Sequence, residues 1–297
     1  MIARHISSAR HQLLKPRFLW AFPGALERRG EAALPTKPFS TDTSASSNYT
    51  NELNPNWKTL LSSIKRCHVS SLIGDIQIDA AFKLLGSKVV EYKSDDIAQA
   101  VLHISDEGGL MLTICGTRFG SGSIPDEATD FWEDAEPIFN HKHLADGDIV
   151  ACGALDRWNA IWAWAKPHVG DAPLVVEGHS LGGQAAHVAM RLLGPQVTQA
   201  FAWEPPKAMN DSAWQKVDIS RCVTVVHGRD PCAAWPPAFT ETQLRHPPGP
   251  MLWIRDDNSW EWTTRSGWPG GDPLRVADHF SNNVSAAVEA IFQKLQK

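Results

Sequence analysis

The sequence predicts an α/β fold: a mostly parallel central sheet flanked by helices. Three observations carry this prediction. Short, wholly or largely apolar runs (Leu174-Val175-Val176, Ala200-Phe201-Ala202-Trp203 and Cys222-Val223-Thr224-Val225-Val226) read as strands covered on both faces. Stretches with apolar residues at helical spacing separate them. Hairpin patterns sit towards both ends of the body, and strands alternating with helices place the parallel part of the sheet at the centre. With 297 residues, 43% of them hydrophobic, the chain can build a full core, as one large domain or as two of roughly 150 residues.

Residues 59–86 hold two helix-like stretches, marked by Leu60, Leu61 and Ile64 and then by Ile78, Ala81, Phe82 and Leu85. Val101–Ile104 and Leu110–Ile114 flank Asp106-Glu107-Gly108-Gly109 as a hairpin would. Trp158, Ile161, Trp162 and Ala165 form a helical stripe, and a small-residue helix with Ala185, Ala186, Ala189 and Leu192 follows Leu174–Val176. Met251–Arg255 and Trp260–Thr264 can pair across Asp256-Asp257-Asn258. A last helix presents Val284, Ala287, Val288, Ile291 and Leu295.

Charge divides the chain. Residues 1–44 carry seven basic against three acidic side chains, whereas the whole chain has a formal charge of −5. No acidic residue precedes Glu27, and Ile2, Ile6, Ala9 and Leu13 fall on one face of a short helix. This Arg-rich, amphipathic composition is that of an organellar targeting segment, mitochondrial by preference. A secretory leader, for which Lys15-Pro16-Arg17 interrupts the apolar run, and a plastid peptide are the alternatives. Residues 45–58 are expected to link this segment to a catalytic domain over 59–297. The acidic balance argues against nucleic acid as a partner, and no apolar run is long enough for a transmembrane segment. Five cysteines without a C-x-x-C pair argue against a disulfide framework or a zinc site, although a bridge from Cys232 to Cys67 or Cys152 is conceivable.

The chemistry-bearing motif is Gly178-His179-Ser180-Leu181-Gly182, a G-x-S-x-G with a strand before it and a small-residue helix after it. A nucleophilic serine must stand on a tight strand-to-helix turn, and the glycines two before and two after it permit that turn. Its hydroxyl needs a histidine to take the proton and a carboxylate to orient that histidine. Asp230, directly beyond the strand Cys222–Val226, is the candidate acid; Asp211, Asp218, Asp256, Asp257, Asp272 and Asp278 leave no such run. Among His187, His227, His246 and His279, position favours His279, at the start of the last helix, over His246.

Several motifs in order make the chain, from about residue 70 to 295, resemble the class 3 lipases, the fungal-lipase-like family of the α/β-hydrolase fold. They are Ile114-Cys115-Gly116-Thr117, Asp130-Phe131-Trp132-Glu133-Asp134, Gly153–Trp158, Glu177–Gly183, Phe201–Lys207, Arg229-Asp230-Pro231 with Pro236-Pro237, and Asp278-His279. Gly153–Trp158 looks like the family's Gly-Phe element preceding the long helix. The resemblance implies Ser180 as nucleophile, Asp230 as orienting acid and His279 as general base, with the oxyanion hole formed by the Leu181 amide and Thr117. It also implies a short lid near Phe119–Asp134, whose apolar residues include Ile124, Phe131 and Trp132; a fixed surface helix is the alternative. Cys115 departs from the usual arginine, and Trp203 and Lys207 replace a glycine and an arginine.

The implied activity is a serine ester hydrolase acting on glycerolipid acyl esters, with an acyl-ester lipid as substrate and transient contact with a lipid surface. No metal or cofactor is called for. The alternatives are a short-chain carboxylesterase and a non-catalytic lipase-like binding or scaffold protein. The tryptophans from Trp158 to Trp268 are read as core fillers against a membrane or carbohydrate platform.

Overall fold

A computed structural model describes residues 54–72, 77–95, 98–116, 140–236 and 243–297. The targeting segment, most of the linker, Thr117 and the lid candidates Ile124, Phe131 and Trp132 lie outside the described residues. Helix α1 (Trp57–Ser70) starts within the stretch expected as linker, where Asn56 Oδ1 caps it by accepting the Thr59 N–H at 3.1 Å. Helix α2 (Ile78–Leu84) follows. Strands β1 (Ser87–Ser94), β2 (Gln99–Ser105) and β3 (Leu110–Ile114) come next, β2 and β3 forming the expected hairpin. The sequence reading lacks β1, because this edge strand exposes Glu91 and Tyr92 and shows no apolar run. It also lacks the ribbon of β4 (His141–His143) and β5 (Ile149–Ala151).

Helix α3 spans Cys152–Val169, so Gly153–Trp158 lies inside the long helix rather than before it, contrary to expectation. Ala154 and Leu155, with Trp158 one turn on, are buried on one face there, which is why the segment is helical. Then come β6 (Leu174–His179), α4 (Leu181–Leu193), β7 (Val197–Trp203), α5 (Asp211–Trp214), β8 (Cys222–His227), β9 (Met251–Ile254), β10 (Trp260–Thr263) and α6 (Ser281–Leu295).

The described strands form an eight-stranded sheet in the order β1-β2-β3-β6-β7-β8-β9-β10. It is parallel from β3 to β9 and antiparallel at both edges. Parallel strands need helical crossovers, so both faces are covered. One face packs Trp158 and Ile161 of α3 and Ala185 and Ala189 of α4 against Leu112, Val176 and Ala200. On the other, Leu60 and Ile64 of α1 and Val284, Val288 and Ile291 of α6 meet Phe201, Val225 and Leu252. Trp158 and Trp268 are buried, and Trp162, Trp164, Trp253, Trp260 and Trp262 are partly buried against the cores. No disulfide joins the five cysteines, so the conceivable bridge from Cys232 is not made. No described helix is long and apolar enough to cross a membrane.

Candidate active site

The parallel strands all end on the same side; Ser180 follows β6, Asp230 lies just beyond β8, and His279 comes from the turn Val276–His279 before α6. Ser180 closes β6 with φ +56° and ψ −126°, backbone that a serine adopts only under constraint. The constraint is a close approach of chains. A Cβ on Gly178 would lie 2.3 Å from the Gly182 carbonyl carbon, and one on Gly182 would lie 2.3 Å from the Ile114 carbonyl oxygen. The glycines of the motif are thus required by space. The Ser180 N–H donates to Trp203 O at 2.8 Å, tying the turn to the end of β7.

Asp230 and His279 converge on this turn. His279 Nδ1 lies 2.7 Å from Asp230 Oδ2, and Nε2 lies 2.7 Å from Ser180 Oγ. An ionised carboxylate only accepts, so Nδ1 carries the hydrogen and Nε2 is left to accept the Ser180 O–H. All three residues are buried. Burial by itself would raise the Asp230 carboxyl. The His279 charge and hydrogen bonds from Glu204, His279 and the Cys232 amide outweigh it and hold the group down at about 2. Cys232 N–H and Ala233 N–H donate to Asp230 at 2.7 and 3.3 Å.

His279 is placed by its surroundings. His179 Nε2 donates to the His279 carbonyl oxygen at 2.7 Å, and the two rings lie 4.9 Å apart. Asp278 Oδ2 accepts the Arg229 N–H at 2.9 Å, its Oδ1 accepts from Arg275 Nη2 at 2.9 Å, and its carbonyl accepts from His227 Nδ1 at 3.2 Å. Gly228, at φ +54°, leaves room for that carboxylate: a Cβ there would lie 2.3 Å from Asp278 Oδ2. Gly228→Ala is expected to displace the turn bearing His279 as well as strain the backbone. Its kcat should fall more than tenfold, with a loss of roughly 1–3 kcal/mol in denaturant unfolding.

The other histidines take structural places. His246 Nε2 donates to Ala233 O at 2.7 Å, supporting the Asp230 loop from behind, and His187 bonds Thr224 at 3.0 Å. Burial lowers His103 and His246 to about 4, and His179 and His187 to about 3, so all four are neutral in the fold. Unfolded, each regains an ordinary pKa near 6.5 and binds a proton at pH 5.5, whereas Glu204, raised by burial, releases one. Unfolding at pH 5.5 is therefore expected to take up about three protons. Stability should fall as pH drops from 6.5 towards 4, a slope read from urea unfolding at several pH values.

Leu181 is the first residue of α4, so its amide has no carbonyl to bond within the helix and points with the helix N-terminus towards Ser180. Thr117 lies outside the described residues. The chain reaches it from Gly116, where a Cβ would lie 2.8 Å from His179 O. Arg157 Nη1 fixes that approach by donating to Cys115 O at 2.9 Å and Gly116 O at 3.1 Å. Donor atoms of Asp230, Cys232 and His279 lie within 4.8 Å of one another, the spacing of a metal site. Burial and the Asp230 charge push the Cys232 thiol well up, however, and Asp230 and His279 already bond each other. The cluster fits a triad better than an ion.

The structure thus brings together Gly178, His179, Ser180, Leu181, Gly182, Asp230 and His279. Absent from the sequence reading were Glu204, Arg157 and the Asp278–Arg275 latch. Glu204 had a faint signal, an acid two residues after an apolar strand position and just before Pro205-Pro206.

The Rhizomucor miehei lipase propeptide complex is similar to this chain with a TM-score of 0.52 and 19% identity, over 75% of this chain and 78% of that one. Lipase II from Rhizopus niveus gives 0.54 and 18% over 75% and 91%, and the Rhizomucor miehei triacylglyceride lipase gives 0.54 and 18% over 75% and 92%. The chain has a lipase-like α/β-hydrolase fold. No family model matches it, and no curated protein matches it in sequence. The likeness is one of fold; the chemistry of this hydrolase fold rests on the site's own atoms.

Proposed function

We propose that the protein is a serine ester hydrolase of lipase type, cleaving acyl esters of glycerolipids through an acyl-enzyme on Ser180. One observation carries the reading: Ser180, His279 and Asp230 form a hydrogen-bonded chain with both links at 2.7 Å, on a strained strand-to-helix turn. In this reading Ser180 Oγ attacks the ester carbonyl while His279 Nε2 takes its proton. The negative oxygen of the tetrahedral intermediate meets the Leu181 amide and the Thr117 N–H and hydroxyl. His279 returns the proton to the departing alcohol, and water then releases the acid by the same path in reverse. Asp230 holds the imidazole in register and stabilises its positive form.

The solved lipases of like fold support a lipase over an open esterase, and in this reading Ile124, Phe131 and Trp132 belong to a lid over the acyl pocket. Residues 1–44 are read as a mitochondrial leader, which points to membrane-derived glycerolipid as substrate. The test is hydrolysis of p-nitrophenyl esters from C2 to C16 by the purified protein, with mass spectrometry after an alkyl phosphonofluoridate. Turnover that jumps above the solubility limit of long esters, with the phosphonyl group on Ser180, is the expected result. Flat saturation on short esters alone would make it a carboxylesterase, and no turnover with no adduct would favour a scaffold.

A further inference from the structure

Glu204 is a buried ionisable group beside the candidate catalytic residues that has no part in the proposed acyl transfer. It follows β7 immediately, between the strand ends that carry Ser180 and Asp230. Its φ is +49°, a region that few residues other than glycine enter. The backbone there is pinned on both sides: Glu204 N–H donates to Val225 O at 2.9 Å, and the preceding Trp203 carbonyl accepts the Ser180 N–H at 2.8 Å. The side chain is fully buried, and neither carboxyl oxygen meets an N–H or O–H donor in hydrogen-bond geometry among the described residues.

The Asp230 and Asp278 carboxyls, the Cys232 thiol and the His227 backbone act on it electrostatically. The Asp230 charge and a hydrogen bond shared with Asp230 raise the Glu204 carboxyl, and the same bond lowers Asp230. Two carboxyl groups that share a hydrogen bond in a buried site cannot both ionise, so the pair keeps one proton. Donor counting says where it stays. Asp230 accepts from Cys232 N–H, Ala233 N–H and His279 Nδ1–H, which favours its charged form. Glu204 has only the His227 backbone acting as a donor on it, outside hydrogen-bond geometry, so burial and the Asp230 charge keep it neutral.

We propose that Glu204 is a positioning residue whose carboxylic O–H donates to the Asp230 carboxylate, extending the chain Ser180–His279–Asp230 by one member. Burial and the Asp230 charge push the Glu204 carboxyl well up, as this arrangement requires. The bond has two effects. It adds a further donor that fixes the orientation of Asp230, and with it the tautomer and angle of His279. It also draws electron density from Asp230, so the imidazolium form of His279 is stabilised less than a fully charged neighbour would stabilise it. The proposal rests on the reading of Ser180, His279 and Asp230 as the catalytic residues.

Glu204→Gln keeps the size and supplies an amide N–H to Asp230, whereas Glu204→Met keeps the bulk without a donor. In infrared spectra of the full chain, the wild type should show the carbonyl stretch of a buried protonated carboxyl, and Glu204→Gln should lose it. In kcat/KM against pH, the acidic limb should stay in place in Glu204→Gln and rise by about half a unit to one unit in Glu204→Met. Glu204→Met should lose about tenfold in kcat at constant KM, a size within the range for a hydrogen bond to a charged group.

An ionised Glu204 would behave oppositely, since Glu204→Gln would then remove a negative charge and move the limb down. That movement, or an infrared band unchanged in Glu204→Gln, overturns the proposal. Should the wild type hydrolyse no ester, the hydrolase reading fails, while the infrared comparison still decides where the proton is. Should Glu204→Met fail to fold, the near-isosteric glutamine variant carries both readouts.

Discussion

Ser180→Ala and His279→Ala should each cut kcat for ester hydrolysis by on the order of 10⁶-fold, and the double variant should be no slower than either alone. The reason is in the geometry. His279 Nε2 has one role at 2.7 Å from Ser180 Oγ, and a serine hydroxyl whose proton has no acceptor is a poor nucleophile. Removing either group therefore removes the same transition-state interaction, and the second loss costs nothing further. The residual rate belongs to the Leu181 and Thr117 donors and to binding, so KM should change little. Neither variant should unfold, because Ser180→Ala removes only a hydroxyl and leaves the elbow's glycine contacts in place. The measurement is kcat for wild type, both singles and the double, with thermal unfolding alongside. Near-additive losses, or a single variant within tenfold of wild type, would separate the two residues and sink the triad.

The second large effect is on stability, three residues before the nucleophile. Glu177 is fully buried within β6 and accepts from Arg66 Nε at 2.6 Å, Arg66 Nη2 at 2.8 Å and Thr113 Oγ1 at 2.6 Å. Thr113 in turn accepts from His103 Nε2 at 2.9 Å. Burial by itself would raise the Glu177 carboxyl, but the Arg66 charge and these bonds hold it below its ordinary value. Its contribution is therefore present above the unfolded carboxylate pKa of about 4.3 and is lost as pH falls through the lower folded value.

Glu177→Ala strands the Arg66 guanidinium in the interior, and Arg66→Ala strands the carboxylate. Each should cost about 3–5 kcal/mol, because one uncompensated buried charge remains. For a body of this size that lowers Tm by on the order of 10 °C. Joint replacement, Arg66→Met with Glu177→Leu, removes both charges and should recover much of the loss. Denaturant unfolding of the three variants checks this; a double variant as unstable as the sum of the singles would mean that the two charges act independently and not as a compensated pair.

The central architecture was legible because its signals are local. Strands β6, β7 and β8 are buried on both faces, so they read as bounded apolar runs, and the small residues of α4 record how closely it packs on them. Gly178 and Gly182 marked the turn for the same reason: they are set by contacts within a few residues or with the adjoining strand. Strand β1 left no such trace, since five of its eight side chains face solvent and its place at the sheet edge depends on pairing with β2. The Gly153–Trp158 segment was misplaced because a motif resemblance says nothing of where a helix begins; the burial of its apolar residues does.

The sequence by itself determined the central strands β6, β7 and β8 and the helix α4, the elbow around Ser180, and Asp230 as the candidate acid beyond a strand. Local propensity, apolar periodicity and turn chemistry are written residue by residue, so they survive without coordinates. Only the tertiary structure decided which histidine completes the site. His279 and His246 are both buried, but the former lies 2.7 Å from Ser180 Oγ and the latter is spent on Ala233 O. It also decided that Glu204 is buried between the strand ends carrying Ser180 and Asp230, that Asp278 latches the His279 turn through Arg275 and Arg229, and that Arg66 reaches Glu177 across 111 positions. Those contacts arise where separate strand ends and loops meet, and their energy depends on burial and on the neighbours each charge acquires there. Neither quantity exists until the chain has folded.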